Sequence, residues 1–133
     1  MRFMLDTNTC VELIRQRNDR ILRKMQRFRP DDLCVSSVTL SELEYGVAKS
    51  ADPEKNRLAL AEFMTPLSVL PYDDAVAPVY GRVRVGLERA GTPIGPLDTL
   101  IAAHALSLGL TVVTGNEGEF RRVAGLKVQN WSA

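Results

Sequence analysis

The chain has 133 residues, of which 45% are hydrophobic and 25% charged, and this composition excludes a disordered or fibrous protein. Its length suits one hydrophobic core, so we predict a single domain over residues 1–133. The formal net charge of +1 excludes a strong overall bias towards one class of partner, and any argument about binding therefore depends on local charge.

Cysteine content and hydropathy indicate the compartment. Two cysteines, Cys10 and Cys34, are too few for a disulfide framework and lack metal-ligand spacing, so we expect two buried thiols. No apolar run approaches the length of a membrane span, and the N-terminus reaches an acid at Asp6 too soon for a signal peptide. We therefore expect a cytoplasmic protein.

Short apolar runs alternate with helical patterns in the first half of the chain. Ser37 is placed to cap a helix, and Pro53 is placed at the first position of another. Asn18 could break the first predicted helix. The predicted elements are a strand at 3–5, a helix at 9–29, a strand at 33–36, a helix that follows Ser37, and a helix at 53–64.

The same alternation continues in the second half. Pro71 cannot donate to a ladder, so the strand at 68–71 is predicted to lie at a sheet edge. Gly91 and Gly109 are each placed to end a helix. The remaining predicted elements are helices at 74–89, with Pro78 in the first turn or at a kink, and 97–108, a strand at 110–114, a short helix at 117–122 and a fifth strand at 127–129.

Strands that alternate with helices predict an α/β fold, a three-layer α/β/α sandwich with a central parallel sheet of four to five strands. Ligands of such folds bind beyond the carboxyl ends of the strands, where the strand order reverses. The loops after the first and fourth strands, at Asp6 and at 114–116, are therefore the predicted location of a functional site.

Four acids can be brought to that edge of the sheet: Asp6, Glu42, Asp98 and Glu119. Each acid alone could simply cap a helix or lie on a solvated helix face. Several carboxylates together, however, repel one another unless a cation neutralises them. Mg²⁺ or Mn²⁺ suits such an all-oxygen site and can promote phosphodiester hydrolysis. Other acids, Glu12 among them, are interpreted as solvated.

These residues occur in motifs whose order resembles that of the PIN-domain ribonucleases, and within them the VapC toxins of bacterial toxin–antitoxin pairs. The motifs are Met4-Leu5-Asp6-Thr7-Asn8, Ser36-Ser37 with Ser41-Glu42-Leu43 and Gly46, Gly95-Pro96-Leu97-Asp98 with Ile101-Ala102, and Val113-Thr114 with Asn116, Glu119 and Phe120. The resemblance covers nearly the whole chain. It implies a PIN-like fold and an endoribonuclease that cleaves RNA, with tRNA as the favoured substrate.

The resemblance also implies the roles of individual residues. Asp6, Glu42 and Asp98 match the three family acids that are catalytic and hold the metal ion. The fourth family position is often Asp, whereas here Asn116 aligns with it and Glu119 follows three residues later. Which of the two fills that position stays open, as does the number of ions. The residues expected to orient the acids are Thr7, Asn8 and Thr114.

Binding surfaces are predicted less sharply. Arg20, Arg23, Lys24 and Arg27 have the spacing of one helical face, which could contact RNA, dock an acidic antitoxin or simply be solvated. The resemblance implies an antitoxin whose C-terminal segment covers the acidic groove, and a second copy of the chain as a dimer partner. The apolar side of the 53–64 helix could be buried against either partner or in the core; it comprises Leu58, Leu60, Ala61 and Met64.

Two other functions remain as alternatives. An aspartyl phosphatase of the haloacid dehalogenase type also places Asp after its first strand, but it needs a second Asp where this chain has Asn8. A non-catalytic module with a PIN-like fold is the other alternative, against which the set Asp6, Glu42 and Asp98 argues. His104, the lone histidine, is expected to be packed or partly exposed and not a ligand.

Overall fold

A parallel sheet forms the centre of the molecule in the computed structural model, which describes residues 1–16 and 18–132. Its strands are β1 (Phe3–Leu5), β2 (Leu33–Ser36), β3 (Ser68–Leu70), β4 (Thr111–Val113) and β5 (Lys127–Gln129). The helices are α1 (Thr7–Ile14), α2 (Asp19–Met25), α3 (Ser37–Ala48), α4 (Pro53–Met64), α5 (Ala77–Arg89), α6 (Pro96–Leu108) and α7 (Glu117–Phe120), with a 3-10 turn at Pro30–Asp32.

The strand order is β3-β2-β1-β4-β5, and every neighbouring pair is parallel. The chain builds the sheet outward from β1 in one direction and then resumes on the other side with β4. The order therefore reverses between β1 and β4, where such folds bind their ligands. The predicted α/β fold, its fifth strand and the edge position of β3 are confirmed.

Helices cover both faces of the sheet because successive side chains of each strand point to opposite faces. Phe3 and Leu5 of β1 pack into one apolar cluster with residues of α1, α3 and α4. Met4, between them, packs into a second cluster with residues of α5 and α6. Both cysteines are buried, as predicted. Among the described residues, no helix is long and apolar enough to span a bilayer.

The predicted helix over 9–29 is wrong in its extent. Two helices occupy the segment, α1 from Thr7 and α2 from Asp19, and Asn18 separates them. Asn18 has an extended backbone, and its side-chain oxygen accepts hydrogen bonds from the amides of Arg20 and Ile21. Because α2 ends at Met25, Arg27 lies beyond it, and the predicted basic helical face does not continue to that residue.

Two other helix starts differ from the prediction. Ser36 caps α3 by accepting a hydrogen bond from the amide of Val38, whereas Ser37 is the first helical residue and accepts one from the amide of Tyr72. Helix α5 begins at Ala77, with Pro78 in its first turn, because residues 73–76 form turns before it. The short helix predicted for 117–122 ends at Phe120.

Candidate active site

Asp6 is the most buried of the predicted site acids. It follows β1 directly, is 2% exposed, and caps α1 by accepting a hydrogen bond of 2.9 Å from the amide of Thr9. The Thr114 hydroxyl donates to its other carboxylate oxygen at 2.5 Å. Burial raises the pKa of Asp6, although these hydrogen bonds act to lower it. The carboxylate is therefore fixed in position but incompletely stabilised as an anion.

Thr114 joins the two strands at the point where the strand order reverses. It comes directly after β4, is 1% exposed, and accepts a hydrogen bond of 2.8 Å from the amide of Asn116. Its hydroxyl proton goes to Asp6. One side chain thus connects the acid after β1 with the loop after β4.

Glu42 lies on α3, six residues beyond the cap of that helix. The Thr7 hydroxyl, from the first residue of α1, donates to Glu42 Oε1 at 2.7 Å. Thr7 therefore orients the carboxylate from α3 as Thr114 orients the one after β1. Both residues make the kind of contact that the sequence predicted for them.

Asp98 lies in the first turn of α6 and is half-buried. Burial, and then the negative charges of Asp6, Glu119 and Glu42, raise the pKa of Asp98 to about 6. These three charges come from three separate segments of the chain. The other three acids that the sequence singled out therefore lie near enough to Asp98 to act on it electrostatically.

Asn116 and Glu119 act as a pair. Asn116 begins α7, and its side-chain amide donates to Glu119 Oε2 at 2.7 Å. The amide nitrogen of Asn116 is therefore occupied in holding a carboxylate. Of the two residues, Glu119 has the negative charge that acts on Asp98.

The arrangement fits a hard divalent cation that keeps part of its water shell. Among residues 1–16 and 18–132, no three acidic, histidine or cysteine side chains converge closely enough to form a preformed metal cage. Mg²⁺ is usually bound through one or two carboxylates and several waters, so close convergence is not required. Clustered carboxylates with raised pKa values are the electrostatic condition that a bound cation relieves.

Three other predicted residues lie differently around this site. Asn8 is exposed and, among the described contacts, its side chain makes no hydrogen bond to an acid, so the orienting contact predicted for it is not found. His104 is buried, with Nδ1 at 2.8 Å from Ser36 Oγ, as expected for a packed histidine. Glu12, which the sequence assigned to solvent, is half-buried beside Asn116 in a groove. Its spacing of four residues from Asn8 on α1 was the available signal.

Comparison with known proteins agrees with this geometry. Residues 3–126 match the family model described as PIN domain. The chain is 44% identical over 131 residues to the tRNA(fMet)-specific endonuclease VapC of Salmonella typhimurium, covering 98% of each protein. It is 39% identical to ribonuclease VapC2 of Haemophilus influenzae, again over 98% of each.

Solved structures show the same fold. The VapBC complex of Salmonella typhimurium, solved bound to DNA, matches with a TM-score of 0.93 at 44% identity over 98% of each chain. VapBC2 of Rickettsia felis, bound to a promoter DNA fragment, also has a TM-score of 0.93, at 35% identity over 98% of this chain and 99% of that one. The match to the PIN domain family over residues 3–126 favours the ribonuclease over the phosphatase alternative. The chain belongs to the VapC family of PIN-domain ribonucleases.

Proposed function

We propose that the protein is a toxin endoribonuclease that uses Mg²⁺ or Mn²⁺ to cleave tRNA in the cytoplasm and is neutralised by a VapB-type antitoxin. PIN-domain ribonucleases generally depend on a divalent metal. The observation that supports the metal here is the raised pKa of Asp98, about 6, caused by burial and by three neighbouring carboxylates. The tRNA substrate is proposed from the likeness to the tRNA(fMet)-specific relatives.

Asp6, Glu42 and Asp98 are the proposed metal-holding and catalytic residues. A bound divalent cation supplies an activated water and stabilises charge on the scissile phosphate. The chain's own groups prepare the site: Thr114 and the Thr9 amide hold the Asp6 carboxylate, and Thr7 holds that of Glu42. These contacts set which carboxylate oxygens remain available to the ion and its waters.

Glu119 is the proposed fourth acid, and Asn116 is its positioning residue. Asn116 donates its side-chain amide to Glu119, and Glu119 contributes negative charge at Asp98. An asparagine at the aligned position thus orients a carboxylate supplied one helical turn later. Its own side-chain oxygen remains available to water on the ion.

The proposed antitoxin site is an apolar groove beside Glu42. The groove has a volume of about 190 Å³ and lies between α1, α3 and α4. Its lining includes Ile14, Leu43 and Val47, and Arg15 and Lys49 also border it. An amphipathic segment with acidic flanks fits this surface, and by reaching Glu42 it would block the site.

A second copy of the chain is the other proposed protein partner. Helix α4 divides its apolar residues between two environments: Leu60 is 5% exposed, whereas Leu58 is 70% exposed. Tyr45 of the adjacent helix α3 is 65% exposed. Leu58 and Ala61 are therefore the exposed residues of the predicted apolar side, available for a dimer contact, and Leu60 belongs to the core.

The test is metal-dependent cleavage by purified protein. We expect wild type to cut total tRNA with Mn²⁺ or Mg²⁺ and to be inactive after chelation with EDTA. Asp6→Asn should abolish cleavage with the circular dichroism spectrum unchanged. Persistent cleavage by Asp6→Asn would contradict the proposal, and a wild-type protein that binds no divalent ion in calorimetry would favour the non-catalytic alternative.

A further inference from the structure

A second groove adjoins the active site beside the proposed antitoxin groove, and Val11 of α1 lines both. It has a volume of about 340 Å³ and is lined by Asn8, Val11, Glu12, Gly115 and Asn116. This volume is at the lower end of the range for ligand pockets, which is roughly 300–1,000 Å³. Asn116 connects the groove to the metal-site acids through Glu119.

Glu12 gives the groove its chemical character. It is half-buried, and among residues 1–16 and 18–132 its carboxylate makes no hydrogen bond or ion pair with another side chain. Asn8 lies one helical turn earlier on the same face of α1, and its side chain is likewise without a partner among those residues. The groove thus presents a carboxylate acceptor beside an amide.

A carboxylate here is unsuited to the phosphate backbone, because like charges repel at contact distance. It can only accept hydrogen bonds. Opposite it, Gly115 has no side chain, and a Cβ built there would meet nothing within 4 Å, so the space is open to an inserted group. Val11 supplies an apolar surface against which a flat ring can pack.

We propose that this groove binds an unpaired guanine base of the RNA substrate next to the cleaved bond. Guanine is the RNA base whose Watson–Crick edge presents two adjacent donors, N1–H and N2–H, and these match the two oxygens of Glu12. The Asn8 amide supplies a donor for the neighbouring O6 of guanine. Sequence-specific RNA recognition typically reads such edges of unstacked bases.

The inference rests on the proposed ribonuclease function and assigns its sequence preference. Glu12 and Asn8 would be specificity residues and not catalytic residues. Loss of Glu12 should therefore change which RNA is cut without abolishing cleavage. Val11 borders both this groove and the antitoxin groove, whereas Asn8 and Glu12 line only this one, so RNA reading and neutralisation would use neighbouring faces of one helix.

The test begins with a single-stranded RNA library digested by wild type with Mn²⁺, followed by sequencing of the new ends. We expect guanine to be enriched at one position beside the cut. A matched pair of short RNAs then carries guanine or inosine at that position. Inosine lacks only the N2 amino group, so we expect wild type to cut it about tenfold more slowly, as is typical for loss of a bidentate base contact.

In the Glu12→Gln variant this discrimination should fall to about twofold or less. Glu62→Gln, which changes an exposed acid on α4, is the matched control and should keep the wild-type ratio. An active wild type without guanine enrichment, or a Glu12→Gln variant with the wild-type ratio, would overturn only this inference. A wild type that cuts no RNA with either ion would overturn the proposed function as well.

Discussion

Asp98 illustrates, at the level of one residue, that the proposed metal site costs folding stability. Burial and the neighbouring carboxylates raise its pKa to about 6, above the 3.8 that is usual for an aspartate. The folded protein therefore binds this proton more tightly than the unfolded chain. The resulting stabilisation is present at low pH and is lost as pH rises from about 4 to about 6, so at neutral pH the ionised carboxylate opposes folding.

Asp98→Asn should separate these two effects. We expect the variant to lose RNA cleavage and yet to melt higher than wild type at pH 7 without metal, by roughly 3 °C for a gain of about 1 kcal/mol. The melting temperature of metal-free wild type should fall between pH 5 and pH 7, and this fall should be smaller in the variant. Calorimetric scans in EDTA measure both quantities. A lower melting temperature for Asp98→Asn at pH 7 would contradict the electrostatic account.

The fourth acid can be tested with two glutamates of one short helix. Glu119→Gln removes a charge that acts on Asp98, whereas Glu117→Gln affects a carboxylate that pairs with Arg121 at 3.1 Å outside the site. We expect Glu119→Gln to weaken Mn²⁺ binding about tenfold or more and to lower cleavage, and Glu117→Gln to leave both near wild type. Titration calorimetry with Mn²⁺ and cleavage assays provide the measurement. Equal effects of the two variants would argue against Glu119.

Thr114 provides a test of positioning. In Thr114→Val the shape is kept, but the Asp6 oxygen and the Asn116 amide both lose their partner. We expect Mn²⁺ affinity to fall about 10–100-fold and the free energy of unfolding to fall by about 1–3 kcal/mol. Thr114→Ser, which restores the hydroxyl, should recover most of the Mn²⁺ affinity. A Ser variant as defective as Val would show that the methyl group, and not the hydrogen bond, matters.

At the level of the element, patterns of residue type predicted most of the fold and local capping determined the rest. Every strand was predicted, because apolar runs such as 33–36 and 111–113 are distinctive in a parallel sheet. The break between α1 and α2 at Asn18 was predicted only as an option, because the apolar spacing continues across Asn18 and only its capping hydrogen bonds separate the helices. Ser36 and Ser37 could each cap α3. Ser37 does not, because its hydroxyl accepts a hydrogen bond from the amide of Tyr72 instead.

The candidate site was likewise predicted in part from residue patterns, while its local contacts were not. Asp6, Glu42 and Asp98 could be singled out because each occurs in a distinctive motif beside an apolar element. The bond from Asn116 to Glu119, and the exposure of Asn8, depend on side-chain rotamers that spacing does not encode. Glu12 was assigned to solvent because its neighbour in space, the loop after β4, lies about a hundred residues away along the chain.

Glycines at the end and in the interior of helices should respond in opposite ways to the same substitution. Gly109 follows α6 with a φ of 69°, in the left-handed region, so Gly109→Ala should lower the free energy of unfolding by about 1 kcal/mol. Gly86 lies inside α5 with open space at its Cβ position, so Gly86→Ala should raise it by up to about 1 kcal/mol. Urea unfolding of the two variants gives the comparison, and a stabilised Gly109→Ala would refute the assigned role of that glycine.

At the scale of the whole molecule, α1 is the element on which the proposed functions meet. Its cap is Asp6, its first residue holds Glu42, and two neighbouring grooves are lined by its residues. The reversal of strand order places its N-terminus between β1 and β4. The placement of this single helix therefore brings together the proposed metal site, the proposed base groove and the proposed antitoxin groove.

This layout predicts that neutralisation can be lost while activity is kept. Gly46 lines the apolar groove on α3, and a Cβ there meets nothing within 4 Å, so Gly46→Glu would place a charge in the groove without distorting the core. We expect the affinity for the cognate antitoxin to fall at least tenfold, because an unpaired carboxylate would be buried in the complex. RNA cleavage by the free variant should stay within about twofold of wild type, and co-expressed antitoxin should no longer rescue growth.

Gly86→Glu, the same change on α5, is the matched control and should remain fully neutralised, since it lies outside that groove. Surface plasmon resonance with immobilised antitoxin, beside a cleavage assay, separates the two properties. Unchanged antitoxin affinity in Gly46→Glu would place the antitoxin elsewhere on the molecule. Loss of cleavage in the free variant would instead show that a change in the groove also disturbs the active site around Glu42.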